Sequence, residues 1–209
     1  MSAPITTVFI VDDDPSVCRS LSRLMRHAGH EVRTYASAED FLQVQSKPLR
    51  HPTCLVVDLH MPGLSGLELQ SALATAPARC PAIFISGNGD IPSTVQAMKQ
   101  GAVTFLAKPF DTNDLLRAVA EALEKHRAEL TADSHVHAIE LRMNELTDRE
   151  REIMAWVITG ALNKQIGAEL DIVEKTVKVH RSRMLEKMQA TSVADLVRLC
   201  AAVGFAPAK

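Results

Sequence analysis

Apolar residues fall along this chain in two rhythms. Short, nearly unbroken runs come first: Val8-Phe9-Ile10-Val11, Cys54-Leu55-Val56-Val57, Ala82-Ile83-Phe84-Ile85 and Val103-Thr104-Phe105-Leu106. Runs of that length, rich in branched and aromatic side chains, predict strands covered on both faces. Val32-Arg33-Thr34-Tyr35 is more polar and predicts a fifth strand. Between the runs the spacing turns helical. Val17, Leu21, Leu24, Met25 and Ala28 make a stripe over residues 15–28, closed by Gly29. Ser37 caps a helix to about Val44, residues 65–76 form another that stops before Pro77, and Pro92 opens one that Gly101 closes. A further helix starts near Asp111 or Thr112. Strands alternating with helices imply right-handed crossovers, hence an α/β, doubly wound, five-stranded parallel sheet. Asn88 and Gly89 sit in a Gly87–Asp90 loop expected to be flexible, and Pro48 and Pro52 punctuate the loop before the central strand.

From residue 112 onward the strand runs cease. Leu116, Val119, Leu123, His126 and Leu130 alternate three- and four-residue steps, which extends that helix past the body of the sheet. Core packing at one end and a short self-association seam at the other both fit this pattern. Asp133-Ser134 is expected to interrupt it, so residues 126–143 read as a helical linker between a domain at 1–125 and a small all-α, four-helix domain at 144–209. There, Thr147 with Glu150 three residues on is a capping box. Ile153, Met154, Trp156 and Val157 supply core, and Gly160 ends the helix. A short helix over 163–170 turns Ile166 and Leu170 inward, and Asp171-Ile172 turns the chain into a helix over 173–188. Two helices joined by a brief turn, the second one basic, form a helix-turn-helix signature. At about 100° per residue, Val173, Val177, Met184 and Met188 share one side. Lys175, Lys178, Val179, Ser182 and Arg183 lie on the other. A solvated face would carry charges as well, but an outward Val179 has a use against a thymine methyl in a major groove. In the last helix Val193, Leu196, Val197, Cys200 and Val203 share a side, with Gly204 as terminator.

Composition narrows this picture only slightly. With 209 residues, 46% hydrophobic and a formal charge of −2, the chain is ordinary for one large or two modest domains. Residues 1–143 carry 13 Lys/Arg against 16 Asp/Glu, and residues 144–209 carry 10 against 9, so the basic character is confined to one helix. Four cysteines without C-x-x-C spacing argue against zinc or a disulfide framework and fit a reducing cytosol. Residues 1–7 lack a basic region followed by an apolar core, and no apolar run is long enough to cross a bilayer. A cytoplasmic protein without membrane partners is expected.

The chemistry sits where the strands end. In open α/β sheets ligands bind beyond the carboxyl ends of the strands. The first strand ends in Asp12-Asp13-Asp14, where Asp14 before Pro15 reads as an N-cap. The third ends in Asp58, followed by His60-Met61-Pro62-Gly63; the fourth ends in Ser86, and the fifth in Lys108-Pro109. A lone strand-end Asp is usually a turn former. Several acids together repel unless a cation joins them, and oxygen-only ligation points to a hard ion such as Mg²⁺.

Val-Asp-Asp at 11–13, Asp58 before Met61-Pro62-Gly63, Ser86 and Lys108-Pro109-Phe110 resemble the receiver domain of two-component response regulators, a flavodoxin-like fold. Leu-Thr-Asp-Arg-Glu at 146–150 and Lys-Thr-Val-Lys-Val-His-Arg at 175–181 resemble the LuxR-type DNA-binding domain. Together they look like a FixJ/NarL-type regulator, and the Gly89-Asp90-Ile91-Pro92 and 97–102 stretches favour the FixJ-like branch. The resemblance implies that Asp58 is phosphorylated by a sensor histidine kinase. It implies Mg²⁺, with Mn²⁺ as a substitute, held by Asp13, Asp58 and the backbone carbonyl of His60, with Asp12 completing the acidic pocket. Lys108 and Ser86 would bind the phosphoryl group, Phe105 would respond by packing, and the Lys108-Pro109 bond would be cis. Lys178, Val179 and Ser182 would read bases. Asn163, Lys164, Lys175, Thr176 and Arg183 would contact phosphates, and Arg181 would have to reach outward from the buried side. A homodimer formed on phosphorylation would bind promoter DNA to control transcription, without enzymatic turnover. Two rivals stand beside this. A phosphatase would need a second acid near Asp58, where position 60 is His. A receiver that is never phosphorylated would have no use for the full acid, hydroxyl and lysine set.

Overall fold

The computed structural model describes residues 5–44, 49–75, 79–87 and 91–208. Residues 46–48 of the loop before the central strand, the Pro77 stop and residues 88–90 of the loop beside the site lie outside them. The chain divides into two compact units, Met1–Thr131 and Ala132–Lys209.

In the first unit, β1 (Thr7–Val11), β2 (Glu31–Tyr35), β3 (Thr53–Asp58), β4 (Ala82–Ser86) and β5 (Thr104–Ala107) form one parallel sheet in the order β2-β1-β3-β4-β5. They alternate with α1 (Pro15–His27), α2 (Ala38–Val44), α3 (Gly66–Thr75), α4 (Ile91–Lys99) and the long α5 (Thr112–Asn144). The period of two in a strand explains why β1, β3 and β4 are buried throughout. Val8, Ile10, Cys54, Val56, Ile83 and Ile85 join Leu21 and Met25 of α1 and Leu115, Val119 and Leu123 of α5 in one core. Their neighbours Phe9, Val11, Leu55, Val57 and Phe84 join Phe41 of α2, Leu69 and Leu73 of α3 and Ala97 of α4 in the other. The edge strand β2 is largely exposed, as its polar sequence requires.

α5 departs from the sequence reading. It runs unbroken from Thr112 to Asn144, so Asp133-Ser134 does not interrupt it. No Pro or Gly occurs in that span, and Asp and Ser lower helix propensity by only tenths of a kcal/mol to about 0.7 kcal/mol each. His126 of this helix is buried, and its Nδ1 accepts the backbone N–H of Thr53 at 2.9 Å. The donor opens the same strand that Asp58 closes. Truncating His126 to Ala strands a buried N–H, which costs about 1–3 kcal/mol, and lost packing adds to it. A loss of about 3 kcal/mol is expected in urea unfolding followed through Tyr35, the chain's one tyrosine, with partial recovery in His126→Gln. An unchanged midpoint would show that the strand end is satisfied without the imidazole.

The second unit packs α6 (Asp148–Val157), α7 (Asn163–Glu169), α8 (Glu174–Lys187) and α9 (Val193–Ala202) around Ile153, Met154, Ile166, Val177, Met184, Met188 and Leu196. Ile139 and Met143 near the end of α5 belong to this core. The capping box forms: Thr147 Oγ1 accepts the Glu150 N–H at 3.3 Å, and the Glu150 carboxylate accepts the Thr147 N–H at 3.0 Å. Two apolar positions differ from the stripe drawn on the sequence. Val173 is 69% exposed because it is the N-cap of α8 and stands outside the helical turn that would turn it inward. Val197 is 40% exposed, and Leu199 takes the inward place on α9.

Candidate functional site

The sheet register brings the strand ends together. The chain leaves β1 in one direction toward β2 and returns on the other side for β3, so β1 and β3 flank the point where the winding reverses. Val11 pairs with Val57, which sets Asp12 beside Asp58; Asp58 pairs with Ile85 and Ser86 with Ala107, which brings Ser86 and Lys108 to the same rim. Lys108 Nζ donates to Asp12 Oδ2 at 2.9 Å and to Asp58 Oδ1 at 2.8 Å. Both acids are nearly buried, with side chains 1% and 9% exposed. The remaining carboxylate oxygens are also engaged. Asp12 Oδ1 accepts the Asp14 N–H, and Asp58 Oδ2 accepts the His60 N–H, both at 2.8 Å. Burial draws the Lys108 ammonium toward neutrality, but its bonds to Asp58 and Asp12 outweigh that and hold its pKa above the ordinary lysine value.

Ser86 is fully buried, and its Oγ lies 3.3 Å from His60 Nδ1. Phe105 is half-buried on β5, packed against the core that holds Phe84. The Lys108-Pro109 bond is cis. Asp13 is exposed, and Asp14 caps α1 by accepting the Ser16 N–H at 2.7 Å. Among the described residues, no three His, Cys, Asp or Glu side chains converge as a ready metal cluster. His30, just after the glycine that closes α1, meets Thr6 Oγ1 at 2.8 Å through its Nδ1. The four cysteines are unpaired, and burial pushes all four thiols up, Cys80 to about 12. None is poised as a nucleophile.

Three supports of the site were not legible in the sequence motifs. Glu39 of α2 accepts the Leu64 N–H at 2.9 Å and pins the loop that follows Asp58. Gly66 starts α3 so close to β3 that a Cβ there would lie 2.5 Å from the Asp58 carbonyl oxygen. Cys18 Sγ donates to the Asp12 carbonyl at 3.4 Å. Spacing gave no signal for Glu39 or Cys18, since each reaches the site from another element.

In the second unit, α7 and α8 meet through a tight turn. Asp171 takes a left-handed φ of 51°, and the Ile172 N–H donates to Gly167 O at 2.9 Å. A Cβ on Gly167 would come within 2.6 Å of Ile172 O, so the turn requires glycine there. Lys175, Lys178, Val179, Ser182 and Arg183 are exposed on α8, while Val177, Met184 and Met188 are buried. Lys164 is exposed, and Thr176 and Asn163 are half-buried. Arg181 does reach out from the inner side, and its guanidinium donates to Asn163 Oδ1 at 2.9 Å. Asn163 is therefore already tied to α8.

A doubly wound sheet with acids and a lysine at its reversal point, followed by a helix-turn-helix, defines a receiver joined to a DNA-binding domain. Residues 8–120 match the family model described as response regulator receiver domain, and residues 144–200 match bacterial regulatory proteins of the luxR family. Nodulation protein W of Bradyrhizobium diazoefficiens is 45% identical over 198 residues, covering 95% of this chain and 86% of that protein. Transcriptional regulatory protein FixJ of Rhizobium meliloti is 41% identical over 202 residues, covering 96% and 98%. Among solved structures, response regulator StyR matches with a TM-score of 0.83 at 44% identity, over 95% of this chain and 99% of that one. The chain belongs to the FixJ/NarL family of two-component response regulators. It is a transcriptional regulator with a LuxR-type DNA-binding domain, in a family of regulators and not of turnover enzymes. Among the described residues, no helix is long and apolar enough to cross a membrane.

Proposed function

We propose that Asp58 accepts a phosphoryl group from a sensor histidine kinase in the cytoplasm, and that this pairs two copies on promoter DNA. The observation that carries the reading is the convergence of Asp12, Asp58 and Lys108 at the reversal point of the sheet, with Ser86 at the same rim. In the transfer, a carboxylate oxygen of Asp58 bonds to phosphorus while the donor imidazole leaves with the electron pair of the broken P–N bond. Lys108, kept charged by its two acids, moves from Asp58 onto a phosphoryl oxygen, and the Ser86 hydroxyl donates to another. The donor set fits a hard divalent cation: oxygens alone, two of them on nearly buried carboxylates that one lysine only partly balances. Asp13, Asp58 and the His60 carbonyl would hold Mg²⁺, with Mn²⁺ as a substitute, and Asp12 would complete the pocket. When bound, the metal neutralises charge on the transferring oxygens.

The product adds about two negative charges at one point. Phe105 then repacks beneath the α4–β5–α5 face. On α4 that face carries Ile91, Val95 and Met98 at 80%, 44% and 46% exposure, an apolar surface suited to a second copy. We assign residues 1–125 to the receiver and 144–209 to DNA binding, joined by a helical linker over 126–143 whose first residue, His126, packs into the first unit and whose Ile139 and Met143 pack into the second. A phosphate-affinity gel with acetyl phosphate and Mg²⁺ tests the first step. A retarded band that EDTA prevents is expected, and its absence at any acetyl phosphate concentration would reject the reading.

On DNA, Lys178, Val179 and Ser182 would read bases, while Lys164, Lys175, Thr176, Arg183 and Asn163 would position the backbone. Lys178 pairs with Glu174 at 3.8 Å in an exposed contact, which yields readily to a base edge. Lys178→Ala should cost about 1–3 kcal/mol and relax preference at one base pair of each half-site. Lys175→Ala should weaken all sequences alike and reduce the salt slope by about 1. Titrations on permuted half-sites at several salt concentrations separate the two, and identical behaviour would remove the assignment.

A further inference from the structure

His60 stands two residues beyond Asp58 on the loop that Glu39 pins. Its backbone N–H is fixed on Asp58 Oδ2, and its exposed ring lies with Nδ1 3.3 Å from the Oγ of Ser86, which has no solvent exposure of its own. We propose that the His60 imidazole is a positioning residue that holds the Ser86 hydroxyl in its resting place and so opposes the response to the phosphoryl group. The inference rests on the reading of Asp58 as phosphoryl acceptor and adds to it a residue that sets how readily the site responds.

The physical reason is a competition for one hydroxyl. Ser86 has a single O–H to donate and two lone pairs to accept with. If the O–H points at Nδ1, it must leave the ring before it can donate to a phosphoryl oxygen. If Nδ1–H donates to Oγ instead, the ring still has to release the oxygen when Ser86 shifts toward Asp58. In both tautomers an existing bond is given up as the new one forms. The resting arrangement is therefore closed on each side: Lys108 is engaged by Asp12 and Asp58, and Ser86 is engaged by His60. The role belongs to the ring and not to the backbone, so replacing the side chain leaves the His60 carbonyl and N–H in place.

The test uses the full chain with Mg²⁺ and beryllofluoride, a stable mimic of the phosphoryl group, with affinity read by calorimetry. His60→Ala should bind beryllofluoride about fivefold more tightly, the factor that one hydrogen bond of ordinary net strength represents. His60→Asn, whose amide places a polar atom close to where Nδ1 lies, should return affinity toward the wild type. In a Ser86→Ala background, His60→Ala should change nothing, because the hydroxyl it restrains is gone. Unchanged or weaker binding by His60→Ala overturns the proposal. So does an equal gain with and without Ser86, which would make the ring a simple obstruction. If the wild-type protein fails to bind beryllofluoride at all, the phosphoryl-acceptor reading falls, and this inference falls with it. A wild type that binds normally beside an unresponsive His60→Ala rejects the inference alone.

Discussion

Asp58→Asn should fold, keep its contact with Lys108, and lose phosphorylation completely. The amide has the shape of the carboxylate and its oxygen can still accept from Lys108 Nζ, which now lies 2.8 Å from Asp58 Oδ1. Position 58 is only 9% exposed at its side chain, so a change of size would be felt there; this change keeps the size, removes the charge and sets an amide NH2 where Oδ2 accepted the His60 N–H. What disappears is the nucleophile, since an amide oxygen does not form a stable phosphoryl ester. The retarded band on a phosphate-affinity gel should fall to background with acetyl phosphate and Mg²⁺. Acetyl phosphate should then no longer promote dimerisation or sharpen binding to promoter DNA. Unfolding of the variant should stay within about 1–3 kcal/mol of the wild type, the cost of a His60 N–H left without its acceptor, because Lys108 retains Asp12 as a full partner. A band that persists would move the phosphoryl group to another residue, Asp12 and Asp13 first. A phosphate-dependent rise in DNA affinity that survives the substitution would detach the switch from this pocket altogether.

How much of this pocket could be read from the chain depends on how far each contact reaches. Asp12, Asp58, Ser86 and Lys108 were visible because each closes a short apolar run, and a parallel doubly wound sheet delivers such ends to one rim. The strands were legible as short, nearly unbroken apolar runs, and the helices of both units from apolar spacing at a period of 3.6. What escaped is what one element does to another. His126 reads as a helix position at the edge of a linker, and nothing in its neighbours shows that it caps Thr53 across 73 residues. Glu39 and Gly66 support the Asp58 loop through a backbone N–H and a backbone clearance, neither of which leaves a mark in spacing. The expected break at Asp133-Ser134 failed because a weak helix former inside a long helix costs little when both neighbouring stretches are buried on one side. Val173 was assigned inward by extending a helical wheel one position past the first turn, where the wheel no longer applies.

Lys187→Met should strongly destabilise the DNA-binding unit, although it lies outside the hydrophobic core. Glu150 is 3% exposed, and its Oε2 takes Lys187 Nζ at 2.6 Å and the Thr147 N–H at 3.0 Å. One carboxylate thus closes the capping box of α6 and anchors the end of α8. Burial pushes its pKa up, but the bonds from Lys187 and Thr147 outweigh burial and leave it below the ordinary value of 4.5. A carboxyl with a depressed folded-state pKa contributes stability that is full above 4.5 and lost as pH falls through and below it. Removing the lysine leaves that charge buried with one backbone partner. Breaking a buried pair costs about 3–5 kcal/mol, and because Lys187 is 33% exposed, about 3 kcal/mol is expected. Trp156, the chain's one tryptophan, lies in α6 and reports this unfolding by its fluorescence. The loss should shrink below pH 4.5, where Glu150 takes up a proton and no longer needs the ammonium. Adding Glu150→Gln to Lys187→Met should recover part of the stability, since a neutral amide retains the cap and removes the stranded charge. If the double variant were less stable than Lys187→Met, the charge would not be the source of the loss.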